Sequence, residues 1–150
     1  MNALQRIMAA HPTLTVFGFD AARAGRETHW VAAREELANS IADFEFCARW
    51  LADNLPPARH ITRRNTVSSY ALKHWAEPFT PRGYLFNGVM IAALLAAECY
   101  PSRYGDWRSG PNLFVGVARY TQTVNALMHG ANEQVWARIT SAPEIGTPHE

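Results

Sequence analysis

Lys73, His74 and Glu77 form the group in this chain that most resembles chemistry. On a helix, residues 73 and 77 are neighbours on one face, and so are 74 and 77. The simplest consequence is a Lys–Glu ion pair. A general acid–base role for His74 needs, in addition, a cleft and a partner for the ring. Metal chemistry has less to work with. The six histidines (11, 29, 60, 74, 129 and 149) are scattered, and neither an HExxH nor a CxxC spacing occurs. No P-loop and no GxGxxG is present either. The expectation is therefore a protein without catalytic residues, metal or cofactor, and not an enzyme.

Charge distribution points to binding instead. Residues 55–82 carry Arg59, Arg63, Arg64, Lys73 and Arg82 against Glu77, a net of +4. Residues 1–54 sum to −2 and residues 83–150 to −1, so the positive charge is gathered in one short segment. His60, Tyr70, His74 and Trp75 are interleaved with it. Such an excess attracts phosphates or an acidic protein face. The loop 101–111 (PSRYGDWRSGP) adds Arg103, Tyr104, Trp107 and Arg108, a combination suited to stacking on unpaired bases or to anchoring a protein interface. Thirteen of the fourteen basic residues are arginine, whose planar fork pairs bidentately with carboxylate or phosphate.

The elements that position these residues read as helical. At 150 residues with 48% apolar content, one domain with its own core is expected over 1–140, followed by a flexible tail at 141–150. Residues 2–10 form a short helix stopped near Pro12. The run 14–19 (LTVFGF) reads as a short strand. From 27 to 54, Trp30, Leu37, Ile41, Phe44, Ala48 and Leu51 recur at helical steps, with Arg34 the only break in the stripe. Asn65 or Thr66 caps a helix running to about Glu77. Residues 84–100 form a helix that is apolar nearly all round, hence the buried centre of the fold, with Gly88 a crossing point or a bend. Residues 112–119 are either a strand partnering 14–19 or the start of a last helix, and 122–140 read as helix. The fold class is thus mainly α, about five helices around 84–100, with a small two-stranded β element.

Cys47 and Cys99 both fall in apolar helical patterns, which suits small core residues in a reducing cytoplasm better than a disulfide scaffold. Neither a signal peptide nor a run of about 20 apolar residues is found, so a soluble protein away from the membrane is expected. The helices at 66–77 and 84–100 invite a helix-turn-helix reading, but the turn between them is long and the second helix lacks a polar outer face. If DNA is bound, the leader at 59–64 and the first helix, with Ser68, Ser69 and Lys73 on its exposed side, are the contacts.

The strings SSYALKHWAE (68–77), YLFNGVMIAALL (84–95) and PNLFVGVAR (111–119) resemble a pattern in small uncharacterised proteins of proteobacterial plasmids and integrating elements. In the last string Val115-Gly116-Val117 stands where that pattern has Phe-Asn-Ile. The resemblance implies a mobile-element origin and a maintenance, regulatory or anti-defence role. The function expected is a non-enzymatic interaction protein that binds a nucleic acid or a nucleoprotein complex, an anti-CRISPR-type inhibitor being one concrete form. The alternative is a DNA-binding regulator acting as a homodimer. The binding residues expected of the chain are Arg59, Arg63, Arg64, Ser69, Lys73, Arg82, Arg103, Tyr104, Trp107 and Arg108.

Overall fold

A computed structural model describes residues 1–19, 27–55, 58, 60–99, 101–105 and 110–117. Within them the chain is mainly α with two small antiparallel β pairs. Helix α1 (Ala3–Ala10) opens with a capping box: Asn2 Oδ1 accepts from Gln5 N, and Gln5 Oε1 accepts from Asn2 N, both at 2.8 Å. The stretch 14–19 is a tight hairpin rather than one strand. Strand β1 (Leu14–Thr15) pairs with β2 (Gly18–Phe19) across Val16 and Phe17, and Gly18 takes φ +117°. A six-residue run long enough for one strand is folded double because only glycine accepts that backbone angle at so little cost.

The single helix expected over 27–54 is two. Helix α2 (Glu27–Ala38) and α3 (Ile41–Asn54) are separated at Asn39-Ser40. There Ser40 Oγ donates to the Glu36 carbonyl at 2.7 Å, and Ser40 N turns back to Leu37 O. A side chain that satisfies a backbone carbonyl locally competes with continuing the helix. The apolar stripe survives the break, with Leu37, Phe44 and Leu51 buried. Arg34, its one polar member, has a specific task. Its Nη1 donates to the carbonyls of His11, Pro12 and Leu14, and its Nη2 to that of Met8, at 2.8–3.1 Å. A single guanidinium thereby closes the C-terminal end of α1 and ties the following turn to α2, favourably placed at a helix C-terminus.

Helix α4 spans Ser69–Ala76 and is capped by Ser68, whose Oγ accepts from Ala71 N at 3.1 Å. The expected caps Asn65 and Thr66 lie outside it. Thr66–Ser68 is strand β3, paired antiparallel with β4 (Phe114–Gly116) in the register Val67↔Val115. Residues 112–119 thus supply a strand, but its partner is β3 and not the 14–19 segment. Asn65 organises the preceding turn, accepting from Thr62 N and donating to His60 O.

Helix α5 (Asn87–Ala96) is shorter than the expected 84–100, since 84–86 approach it as extended chain. It is the core element as expected: every residue from Asn87 to Leu94 is buried, and α1, α3 and α4 pack around it. Cys47 and Cys99 are buried thiols; burial together with the nearby Asp43 charge pushes Cys47 up to about 12, and burial pushes Cys99 up to about 11. No helix among the described residues is long and apolar enough to cross a membrane. The helix expected at 122–140 and the tail at 141–150 lie outside the described residues.

Gly88 is the point where the hairpin meets α5. A Cβ there would overlap the Thr15 carbonyl oxygen, while Gly88 N donates to Val16 O at 2.8 Å. Backbone atoms of a hydrogen-bonded hairpin cannot swing aside as a side chain does. Gly88→Ala should therefore destabilise by about 3 kcal/mol, overriding the gain of about 1 kcal/mol that alanine brings to a helix. Urea denaturation measures it, and the sign alone separates a crossing point from an ordinary helical glycine. In the same assay Arg34→Ala should lose about 2 kcal/mol through its unpartnered carbonyls. Arg34→Lys should recover only part of that, since one ammonium cannot span four acceptors.

Candidate functional site

The Lys73–Glu77–His74 group exists, but it is not a surface cluster. Lys73 is 5% exposed, and its Nζ donates to Glu77 Oε1 at 3.1 Å and to the Leu85 carbonyl at 3.0 Å. The ammonium also lies 4.7 Å from the centroid of the Tyr84 ring and 5.4 Å from that of Tyr70. Glu77 is equally buried and receives His74 Nδ1 on the same oxygen at 2.8 Å. His74 is half-exposed and meets the Tyr70 ring edge-on at 4.4 Å. Lys73 is therefore a buried cation held by a carboxylate, a carbonyl and two π faces. Its expected place on the exposed side of the helix is corrected: the apolar surroundings of α5 cover that face of α4. Ser69 is corrected likewise. It is fully buried, its N donating to Leu113 O at 2.7 Å and its Oγ accepting from Leu113 N at 3.1 Å, so it stitches α4 to the chain before β4.

Above this group opens a cleft of about 490 Å³. Tyr70, Lys73 and His74 from α4, Tyr84 and Phe86 before α5, and Phe17 from the hairpin turn line it. Its wall is completed by Asn87, Pro111 and Asn112. The aromatic rings are ordered against one another: Tyr84 on Phe86 and Phe86 on Phe17 are edge-on at 5.1 and 5.9 Å, and Phe17 stacks on His29 at 6.0 Å. Phe17, Tyr70 and Tyr84 stand about half-exposed, although rings of this size are normally buried. Half-exposed aromatics gathered around one concavity are the signature of a binding site. Reading the sequence missed it, because Phe17 was placed in a strand and Tyr84 and Asn87 inside a helix. The available signal was Tyr84, Phe86 and Asn87 ahead of Gly88, where extended chain turns into a helix N-terminus.

The basic segment divides into three. Arg82 reaches Asp43 Oδ2 at 3.4 Å, and Lys73 is internal. Arg63 and Arg64 are exposed in the turn before β3. Arg63 lies over the Tyr104 ring at 5.4 Å, and Arg103 lies over the same ring at 5.0 Å while donating to its hydroxyl at 2.9 Å. Two segments distant in sequence, each expected to bind, are thus brought together at Tyr104. The link between them is Thr66 Oγ1 to Ser102 Oγ at 2.7 Å. None of Arg63, Arg64 and Arg103 meets a carboxylate among the described residues. Arg59, Trp107 and Arg108 lie outside the described residues. No group of three or more potential ligands for a metal ion occurs among the described residues.

Comparison of the chain with protein-family models, with curated proteins and with solved structures finds no match in any of the three. The chemistry of the sites is thus read from their geometry alone. The cleft has an imidazole with a carboxylate behind it and a ring of π faces; the Tyr104 surface has guanidiniums that meet no carboxylate among the described residues. The buried pair carries a direct test. Glu77→Gln should destabilise by about 3 kcal/mol, because it leaves Lys73 as an uncompensated internal cation. Adding Lys73→Met should restore stability relative to Glu77→Gln alone. A double variant less stable than that single variant would show that the ammonium is not balanced by Glu77.

Proposed function

We propose that the protein is a non-enzymatic interaction protein that docks an anionic partner, a nucleic acid or a nucleoprotein complex, on the surface around Tyr104. The observation that carries this reading is the pair of guanidiniums of Arg63 and Arg103 on one tyrosine ring, without carboxylate partners among the described residues. A ring that holds two arginines gathers two charges at one place for phosphates or for an acidic protein face. The resemblance to mobile-element proteins supports an inhibitor of a nucleoprotein machine, anti-CRISPR-type inhibition among the forms it takes. The buried, unpaired thiols support a reducing, cytoplasmic setting. A DNA-binding regulator acting as a homodimer is the alternative. Free duplex bound more tightly than any protein subunit favours the regulator, and the reverse order favours the inhibitor.

One observation favours a second reading. His74 has both things an acid–base role requires, a carboxylate partner at 2.8 Å and a cleft. Activity of this kind would respond to His74→Gln and not to changes at Arg63.

The docking surface is tested by Arg63→Glu with Arg64→Glu. Both residues are exposed in a turn, so the melting temperature should hold. Binding to single-stranded and duplex oligonucleotides, followed by fluorescence anisotropy at two salt concentrations, should weaken by about tenfold or more. The dependence of log Kd on log salt should become shallower by about 1–2. Equal affinity of both proteins at low salt removes this surface from the reading.

A further inference from the structure

We infer that the cleft between α4 and the N-terminus of α5 is a binding site for an uncharged planar heteroaromatic ring carrying an amino group, in chemical class a nucleobase such as adenine. Three observations lead there. First, the lining is aromatic and its rings present both faces and edges. Tyr70, Tyr84, Phe86 and Phe17 line the opening, with Phe86 edge-on to both Tyr84 and Phe17, an arrangement that accepts a flat π system by offset or edge contact. The volume of about 490 Å³ falls in the range of small-molecule sites.

Second, the charge at the floor is already balanced. Lys73 sits between the Tyr70 and Tyr84 rings and is held by Glu77, so the π faces that would cage a ligand cation hold the protein's own. The same ion pair leaves Lys73 no free charge for an anion. An uncharged ligand therefore suits the floor of the cleft, beside the His74 ring that also lines it.

Third, the wall carries an amide pair with unused hydrogen-bonding groups. Asn87 Nδ2 donates to Asn112 Oδ1 at 2.9 Å and makes a long contact of 3.5 Å to the Phe17 carbonyl. The Phe17 carbonyl only accepts, which sets the orientation of the Asn87 amide, and through it that of Asn112. The consequence is that Asn87 Oδ1 has no partner, although the residue is 7% exposed. Buried acceptors are nearly always paired, so an orphan of this kind at the edge of a cleft marks a place where a donor arrives. Asn112 is half-buried, and its Nδ2 has no partner among the described residues. A donor on Asn112 and an acceptor on Asn87, both residues lining the same wall, match in type the edge of adenine, which offers its amino group next to a ring nitrogen. Asn112 meets the ligand first. Asn87 Oδ1 is the buried acceptor of the same wall.

This assignment does not rest on the Tyr104 surface, because a free nucleoside has no phosphate. Adenosine is therefore the probe, titrated into the full chain by calorimetry and by NMR of the aromatic side chains. Saturable binding with shifts at Tyr70, Tyr84 and Phe86 is expected. N6,N6-dimethyladenosine keeps the π face but has no amino hydrogen, and it should bind about tenfold or more weakly to the same wild-type protein. Asn112→Ala removes the donor to the ring nitrogen, which both nucleosides carry, and should weaken both by a similar factor. Equal binding of the two nucleosides overturns the reading by the amides. Absence of binding, or shifts confined to other residues, overturns the site. Tetramethylammonium and inorganic phosphate complete the set, and tighter binding of either overturns the uncharged class.

Discussion

The whole arrangement hangs on one close approach, the backbone of the β1–β2 turn lying directly on α5 at Gly88. No side chain separates the two: Val16 O accepts from Gly88 N at 2.8 Å, and the Thr15 carbonyl fills the space where a Cβ would be. That contact supplies a partner for a backbone N–H in the first turn of a helix whose cap residue, Phe86, has no side chain to give it one. It also puts Phe17, at the tip of the turn, against Phe86 and beside Asn87. The opposite wall of the cleft is made by α4, which packs on the same helix. Hairpin, α4 and α5 would each fold their local geometry without Gly88, but the cleft is a property of the distance at which they meet. From the hairpin the chain of constraints continues outward. Arg34 holds the turn before β1 to α2, and Phe19 N donates to Pro111 O at 3.0 Å, bringing the segment with Asn112 into place.

Burying Lys73 and Glu77 together is expensive in desolvation, and a pair of apolar residues would fill the space at least as stably. What the pair provides is direction. Nζ must satisfy Glu77 and the Leu85 carbonyl at once, which sets the chain before α5 at a defined height over α4. Tyr84, one residue earlier, is thereby placed over the ammonium. The same Glu77 oxygen orients His74 toward the mouth of the cleft. One buried carboxylate therefore contacts groups on both sides of the cavity, Lys73 through a hydrogen bond whose geometry is stricter than apolar contact and His74 through a close charge contact.

Sequence pattern revealed the helices and the core because burial leaves a periodic record. The all-round apolar run in α5, the stripe of Leu37, Phe44 and Leu51, and the Lys–Glu spacing all appear as three- and four-residue steps. What it concealed has no period. The break at Asn39-Ser40 depends on one hydroxyl bonding a carbonyl. Strand β3 is three residues long, and its partner lies near residue 115, so only the register reveals it. Polarity misled at Lys73 and Ser69, where a charged and a hydroxyl side chain read as solvent-facing are internal and fully partnered. Arg34 looked like an interruption and is a cap, since a guanidinium can reach beyond its own helix. The cleft was illegible for the same reason in a stronger form: its rings come from positions 17, 70, 84 and 86, and nothing local announces that they converge.

The two candidate surfaces differ in a way that follows from how each is built. At Tyr104 the arginines lie on exposed turns, where water screens them and leaving them without carboxylates costs little. In the cleft the cation is internal, and an internal charge without a counter-charge is not tolerated, so Glu77 had to be within reach. Once it is, the buried ammonium is balanced, and the cleft presents shape, π faces, two amides and the His74 ring. Strands β3 and β4 connect the two regions, carrying Arg63 ahead of one end of β3 and Ser69, stitched to Leu113, past the other. The two regions thus differ in what they leave at the surface: guanidiniums over a tyrosine ring at the first, aromatic rings and amides at the second.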